Sequence, residues 1–162
     1  MRGLSVALAL ALTPGLAAAQ CGSLDVVLNC QIGSKTLTVC VGEGQATYAF
    51  GPAGSPELSL TRPLGQVQAT PWPGVSRSIW EDITFENVGT RYTAAWISVD
   101  RMTEDLPTRG GVIVAQGEQK LADLDCKTGT AEVGVFAIAD AMQAAGYCVD
   151  RVTGTYTQNC PD

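Results

Sequence analysis

Residues 26–41, VVLNCQIGSKTLTVCV, leave the backbone little choice. Two apolar-rich runs, 26–32 and 35–41, flank the pair Gly33-Ser34. A Gly-x pair between alternating runs fits a two-residue II′ hairpin turn, because glycine takes a positive φ without steric cost. Side chains alternate along a strand. Val26, Leu28, Cys30 and Ile32 are therefore expected on one face of the first run. In the second run Leu37, Val39 and Val41 share one face, and Thr36, Thr38 and Cys40 the other. Cys30 is expected to look into the core and Cys40 out of it, which argues against a bond between these two.

All six cysteines, Cys21, Cys30, Cys40, Cys126, Cys148 and Cys160, follow the first nineteen residues. Those nineteen read as a secretory signal peptide. Arg2 gives the positive start, 4–12 the apolar stretch, Pro14-Gly15 a break, and Ala17-Ala18-Ala19 the small-residue cleavage site, leaving Gln20 first in the mature chain. The apolar stretch is shorter than the ~20 residues that span a bilayer. Lipidation of Cys21 is the lesser reading, since Gln20 is a poor residue before a lipidated cysteine. Removing 19 of 162 residues leaves 143, the size of a single domain, 20–162. No second segment is apolar and long enough to cross a membrane. An even cysteine count in an exported chain reads as disulfides. Zinc is a weak alternative, for there is no C-x-x-C pair and the histidine count is 0. Six cysteines allow fifteen connectivities. The net charge of −6, with no basic stripe, makes nucleic acid and anionic lipid poor partners.

Beyond the hairpin the rhythm repeats. Strands are expected at 46–50, 57–61, 79–86, 91–99, 110–116 and 119–126. Ile83 and Phe85 are placed inward, and Tyr92, Ala94 and Trp96 alternate against Thr93, Ala95 and Ile97. The segment 62–78, with Pro63, Pro71 and Pro73, is expected to be a long surface loop, and 100–109 another. Eight short strands between 26 and 126 predict a mainly β fold, an eight-stranded antiparallel meander barrel. Closure removes exposed edges and sets the first strand beside the eighth. Cys30 and Cys126 are then inward-facing neighbours and the favoured bond. Cys21 is left to meet outward-facing Cys40. The remainder, 127–162, is an appendage: a helix at 136–145 capped by Gly146, then a hairpin of 147–151 and 155–158 in which Cys148 and Cys160 pair locally.

The residue types needed for several chemistries are missing. Without histidine there is no Ser-His-Asp or Cys-His centre, and paired cysteines offer no thiol. No phosphate-binding glycine loop or nucleophile elbow occurs. Glu81-Asp82 and Glu104-Asp105 would be the acids of a glycoside hydrolase. Adjacent strand residues point to opposite faces, however, so these acids are read as solvated. Asp123 and Asp125 have calcium-like spacing but no loop glycine, and read as a solvated strand face. No metal, cofactor or catalytic residue is expected. Trp96 reads as core by parity. Trp72, held between Pro71 and Pro73, is either a rigid anchor for a partner or a cap folded back on the barrel, and the usual burial of large aromatics favours the cap.

The stretches CQIGSKTLTVC at 30–40, ATYAFGPAGSPEL at 46–58 and GGVIV at 110–114 leading to LADLDC at 121–126 resemble a family of uncharacterised exported bacterial (proteobacterial) proteins. More distantly, the order of the parts is similar to the periplasmic and membrane-bound inhibitors of c-type lysozyme. That resemblance implies a small antiparallel barrel, a cysteine of the first strand bonded to one near the end, and an S-G-x-x-Y loop that enters the lysozyme cleft. Gly89 and Tyr92 match the loop, while Val88 stands where the family has its serine hydroxyl.

These readings lead to an exported, non-enzymatic binding or inhibitor-like module of the periplasm or the secreted fraction. Its contact surface would be the 87–92 turn, with Gly89, Arg91 and Tyr92, joined by Trp72. An acidic binder would be steered towards a basic lysozyme. The alternative is a carrier of a small apolar ligand in the barrel interior. A carboxylate hydrolase would instead require a deep cleft holding Glu81 or Glu104.

Overall fold

The computed structural model describes residues 21–75, 77–94, 99–100 and 108–160. The segment read as a signal peptide, Trp96 and Glu104-Asp105 lie outside the described residues. The chain is mainly β, in the order β1 (Asp25–Ile32), β2 (Lys35–Gly42), β3 (Gln45–Gly51), β4 (Leu58–Pro63), a 3-10 turn (Leu64–Gln66), β5 (Gln68–Thr70), β6 (Ser78–Ile79), β7 (Asp82–Asn87), β8 (Thr90–Ala94), β9 (Val99–Asp100), β10 (Gly111–Gln116), β11 (Gln119–Asp125) and β12 (Glu132–Val133). Among the described residues a helix, α1 (Ala137–Ala144), and a hairpin, β13 (Cys148–Asp150) and β14 (Thr155–Thr157), follow.

The opening hairpin forms with Ile32 opposite Lys35 and Gly33 at φ +61°, the left-handed conformation a Gly-x turn requires. One detail departs from simple alternation. The register slips between Val26 and Leu28, so Val26 stands opposite Cys40 and Leu28 opposite Val39. A β-bulge adds one unpaired residue and shifts the pairing beyond it. Val26 therefore does not share the face of Leu28 and Cys30, and the extra residue, Val27, is fully buried. Cys40 is buried as well, because Cys21 is bonded to it and covers that face.

The single closed meander of eight strands is corrected to two five-stranded sheets, β12-β1-β2-β3-β4 and β11-β10-β8-β7-β5. Two local features explain the difference. The edge of β1 that β11 was expected to fill is taken by β12, with Leu28 opposite Val133 and Asn29 opposite Glu132. The segment 62–78 is not all loop either. Leu64 is buried in the 3-10 turn, and β5 pairs back onto β7 between Pro63 and Pro71. Prolines have no N–H for a ladder, and they delimit this short edge strand. The expected strand at 79–86 is likewise split into β6 and β7.

The two sheets share one core. Leu28, Leu37, Val39, Tyr48 and Leu60 come from the first, and Ile83, Phe85, Ala94 and Val112 from the second. The Tyr48 ring lies 5.7 Å from Phe85 and 5.6 Å from Tyr92. Burial pushes the Tyr48 phenol far above its ordinary pKa, with Tyr92 adding to the rise. Helix α1 lays Ala137, Ile138, Ala141 and Met142 against β1 and β2. Each large apolar side chain fully buried here contributes about 1.5–3 kcal/mol. Close approach demands glycine just before the helix, where a Cβ on Gly134 would stand 2.0 Å from the Val26 carbonyl oxygen.

Disulfides join Cys30 to Cys126, Cys21 to Cys40 and Cys148 to Cys160. The first ties the two sheets where β1 and the end of β11 converge. The Lys127 amide donates to the Gln31 carbonyl oxygen at 2.7 Å beside it. Three disulfides fit an oxidising compartment. Among the described residues no helix is long and apolar enough to cross a membrane.

Candidate functional site

The most unusual side chain in the fold is Glu81, which is 2% exposed. It shares the strand parity of Ile83 and Phe85 and so points the same way as two core residues. It precedes the first residue of β7, where its side chain meets the N-terminus of α1 instead of the core itself. The Ala139 N–H donates to its Oε1 at 3.0 Å, and the amides of Ile138 and Phe136 also favour its ionised form. Free N–H groups and the dipole at a helix N-terminus stabilise a carboxylate. Burial opposes them and wins. It pushes Glu81 up from its ordinary 4.5 to about 7, with Asp140 adding to the rise.

The helix entry is strained. Phe136 precedes α1 in the left-handed region, at φ 67° and ψ 9°. That conformation is uncommon for a bulky residue and costs of order 1–3 kcal/mol. Phe136 remains 37% exposed, and its ring centroid lies 6.1 Å from that of Trp72. Pro71, Trp72, Glu81, Phe136, Ala139, Gln143, Tyr147, Cys148, Val149 and Tyr156 line one pocket of about 350 Å³. The β13–β14 hairpin, tied by Cys148–Cys160, supplies its far wall. Small-molecule pockets begin at about 300 Å³ and combine apolar walls with a few convergent polar groups.

Two polar atoms of this lining, Glu81 Oε2 and Tyr156 Oη, are buried with no hydrogen bond of ordinary geometry among the described residues, although the Ile138 and Phe136 amides lie near enough to the Glu81 carboxylate to favour its charge. Native folds keep such atoms few, and each calls for an explanation. Burial, then the charges of Glu81 and Asp140, raise the Tyr156 phenol to about 12, so it stays protonated at neutral pH.

The residues singled out from sequence fall in separate places. Trp72 is half-buried and lines the pocket. Gly89 sits at the tip of the β7–β8 hairpin at φ 74°, next to Val88 at φ 49°, which is 93% exposed. Arg91 is exposed and donates from its guanidinium to the Gly117 carbonyl oxygen of the neighbouring turn. The Tyr92 ring is half-buried against Tyr48 and belongs to the core side of that hairpin. Asp123 is exposed and ion-paired with Lys120 at 2.7 Å. Asp82 points away from Glu81 and bonds Thr70, while burial raises its pKa. No group of three His, Cys, Asp or Glu among the described residues is placed to hold a metal ion.

The solvated reading of Glu81 is thus corrected. The missed signal was parity: positions 81, 83 and 85 form one face, and two of them are large and apolar. Compared with family models, with curated proteins and with solved structures, the chain matches none of them.

Proposed function

We propose that the protein is an exported, non-enzymatic binding module of the periplasm or secreted fraction, and that it takes a small ligand in the Glu81 pocket. The signal-like first nineteen residues and three disulfides support export. One observation carries the binding reading: two buried polar atoms, Glu81 Oε2 and Tyr156 Oη, stand unpartnered in a single aromatic-walled pocket. A ligand would supply the hydrogen bonds they lack. A glycoside hydrolase would need a second carboxylate across the same ligand, whereas the described lining pairs Glu81 with tyrosines. Carriage of an apolar ligand inside a closed barrel is disfavoured, since Tyr48, Phe85, Leu28 and Leu37 fill the space between the sheets. Native mass spectrometry of protein purified from its host tests the reading. A bound small-molecule mass is expected, and Phe136→Ala should weaken its retention. The bare polypeptide mass alone, under conditions gentle enough to keep weak complexes, would defeat it.

A second reading attaches to the β7–β8 tip. Val88 is β-branched, left-handed and almost wholly exposed, and strain of this kind concentrates at functional sites. It lies in the stretch that resembles the inhibitory loop of the lysozyme inhibitors. Inhibition of a c-type lysozyme at micromolar concentration, lost on Arg91→Ala, would support it. No inhibition at that concentration would end it.

A further inference from the structure

The pocket's polar atoms also specify the chemistry of what fills it. Glu81 Oε2 is a buried acceptor with no partner among the described residues. Tyr156 Oη, buried and unpartnered in the same lining, has an oxygen that accepts as well. An ionised Glu81 excludes anions, because desolvated like charges repel strongly. Trp72, Phe136, Tyr147 and Tyr156 are the aromatic residues of the lining, and Gln143 is its one carboxamide. Aromatic faces attract cations through their quadrupole, and a carboxylate among them completes the counter-charge. The one side-chain carboxylate in the lining is Glu81, and the lining contains neither Lys nor Arg to neutralise it internally.

We infer that the pocket recognises a small organic ammonium ion carrying at least one N–H, which donates to Glu81 Oε2 and Tyr156 Oη while its alkyl part lies against Trp72 and Phe136. A primary alkylammonium satisfies both acceptors and neutralises the carboxylate. A neutral alcohol supplies one donor and no charge. A quaternary ammonium supplies charge and no donor. The inference rests on the pocket being a ligand site and adds the ligand's class.

Isothermal titration with butylammonium, 1-butanol and tetramethylammonium separates these possibilities. At pH 8 butylammonium is expected to bind at least tenfold more tightly than either of the others. Its affinity should fall about tenfold for each pH step of one below 7, as Glu81 takes up a proton. The groups facing Glu81 are Asp140 on α1 and Tyr156 on β14; Asp140 only deepens the preference for a cation, and Tyr156 does not titrate in this range. Glu81→Gln should abolish the pH dependence and weaken binding at least tenfold, and Tyr156→Phe should weaken it severalfold. Vesicles of phosphatidylethanolamine, whose headgroup bears the same primary ammonium, form a further arm. Association through the pocket would place the ammonium on a lipid, and its absence would leave the free amine. Equal affinity for 1-butanol and butylammonium would overturn the ammonium assignment while leaving the pocket a ligand site. Silence from all three probes would also overturn it, and native mass spectrometry then decides separately whether the pocket binds anything.

Discussion

Replacing Glu81 by glutamine should remove a pH-dependent loss of stability that the native protein carries. In the unfolded chain the carboxyl titrates at its ordinary 4.5, and in the fold burial raises it to about 7. Below 4.5 both states hold the proton. Between 4.5 and 7 the unfolded state releases it first, so stability falls as pH rises through that window and levels off above it. At about 1.4 kcal/mol for each pKa step of one, the total fall is roughly 3 kcal/mol. That is a large share of the ~5–15 kcal/mol by which domains are stable. The amide keeps the Ala139 N–H acceptor but does not ionise. Whatever its own burial costs, that cost is the same at every pH. The quantity to compare is therefore the change in unfolding free energy between pH 5 and pH 8, from urea titrations with the disulfides intact, in both proteins. Asp82, raised in the same direction, is present in both and cancels. We expect the wild type to lose about 2–3 kcal/mol more than Glu81→Gln over this interval. Identical pH dependence in the two proteins would refute both the burial of this carboxylate and the sign of its shift.

Three other outcomes follow from the fold. Replacing Cys30 and Cys126 together by alanine opens a loop with a sequence separation of 96, and should cost roughly 4–5 kcal/mol in a chemical-denaturation experiment on the loop-entropy account; a loss below 1 kcal/mol would contradict it. Val88→Gly relieves a β-branched residue of positive φ at an exposed tip, and should raise the melting temperature slightly, by about 1 kcal/mol of stability. A lower melting temperature would mean that Val88 is held there by contacts. Gly134→Ala drives a methyl into the Val26 carbonyl and should destabilise by about 1–3 kcal/mol, measured by thermal unfolding, with no change expected from the same substitution at exposed Gly22 beyond its own backbone strain.

Alternation made much of this fold legible. The inward parity of Cys30 led to the Cys30–Cys126 pair, through an expected closure of β11 onto β1 whose place β12 takes. Gly33-Ser34 led to the two-residue turn, and the alanine-rich run at 136–145 to α1. What alternation could not reach were the places where local counting breaks. The bulge at Val27 moves Val26 to the other face without any glycine or proline to announce it. The pairing of β12 with β1 rests on two residues, Glu132 and Val133, too few to form a pattern, yet it replaces the expected closure. β5 is three residues set among prolines, and only its partner β7 makes it a strand. The site was half legible. Trp72 stood out through its flanking prolines. Glu81 was passed over because it was weighed only as one of an adjacent acid pair, whose members point to opposite faces, and not for its own parity with Ile83 and Phe85. Nothing local indicates that a helix more than fifty residues later supplies the amides that receive it.

The most direct test is the titration of the Glu81 side-chain carboxyl carbon by NMR, in the free protein and with butylammonium. A midpoint near 7 that moves downward when the ammonium is added is the predicted result. A midpoint near 4.5, unmoved by the cation, would mean that Glu81 is a solvated surface acid that the ammonium does not meet.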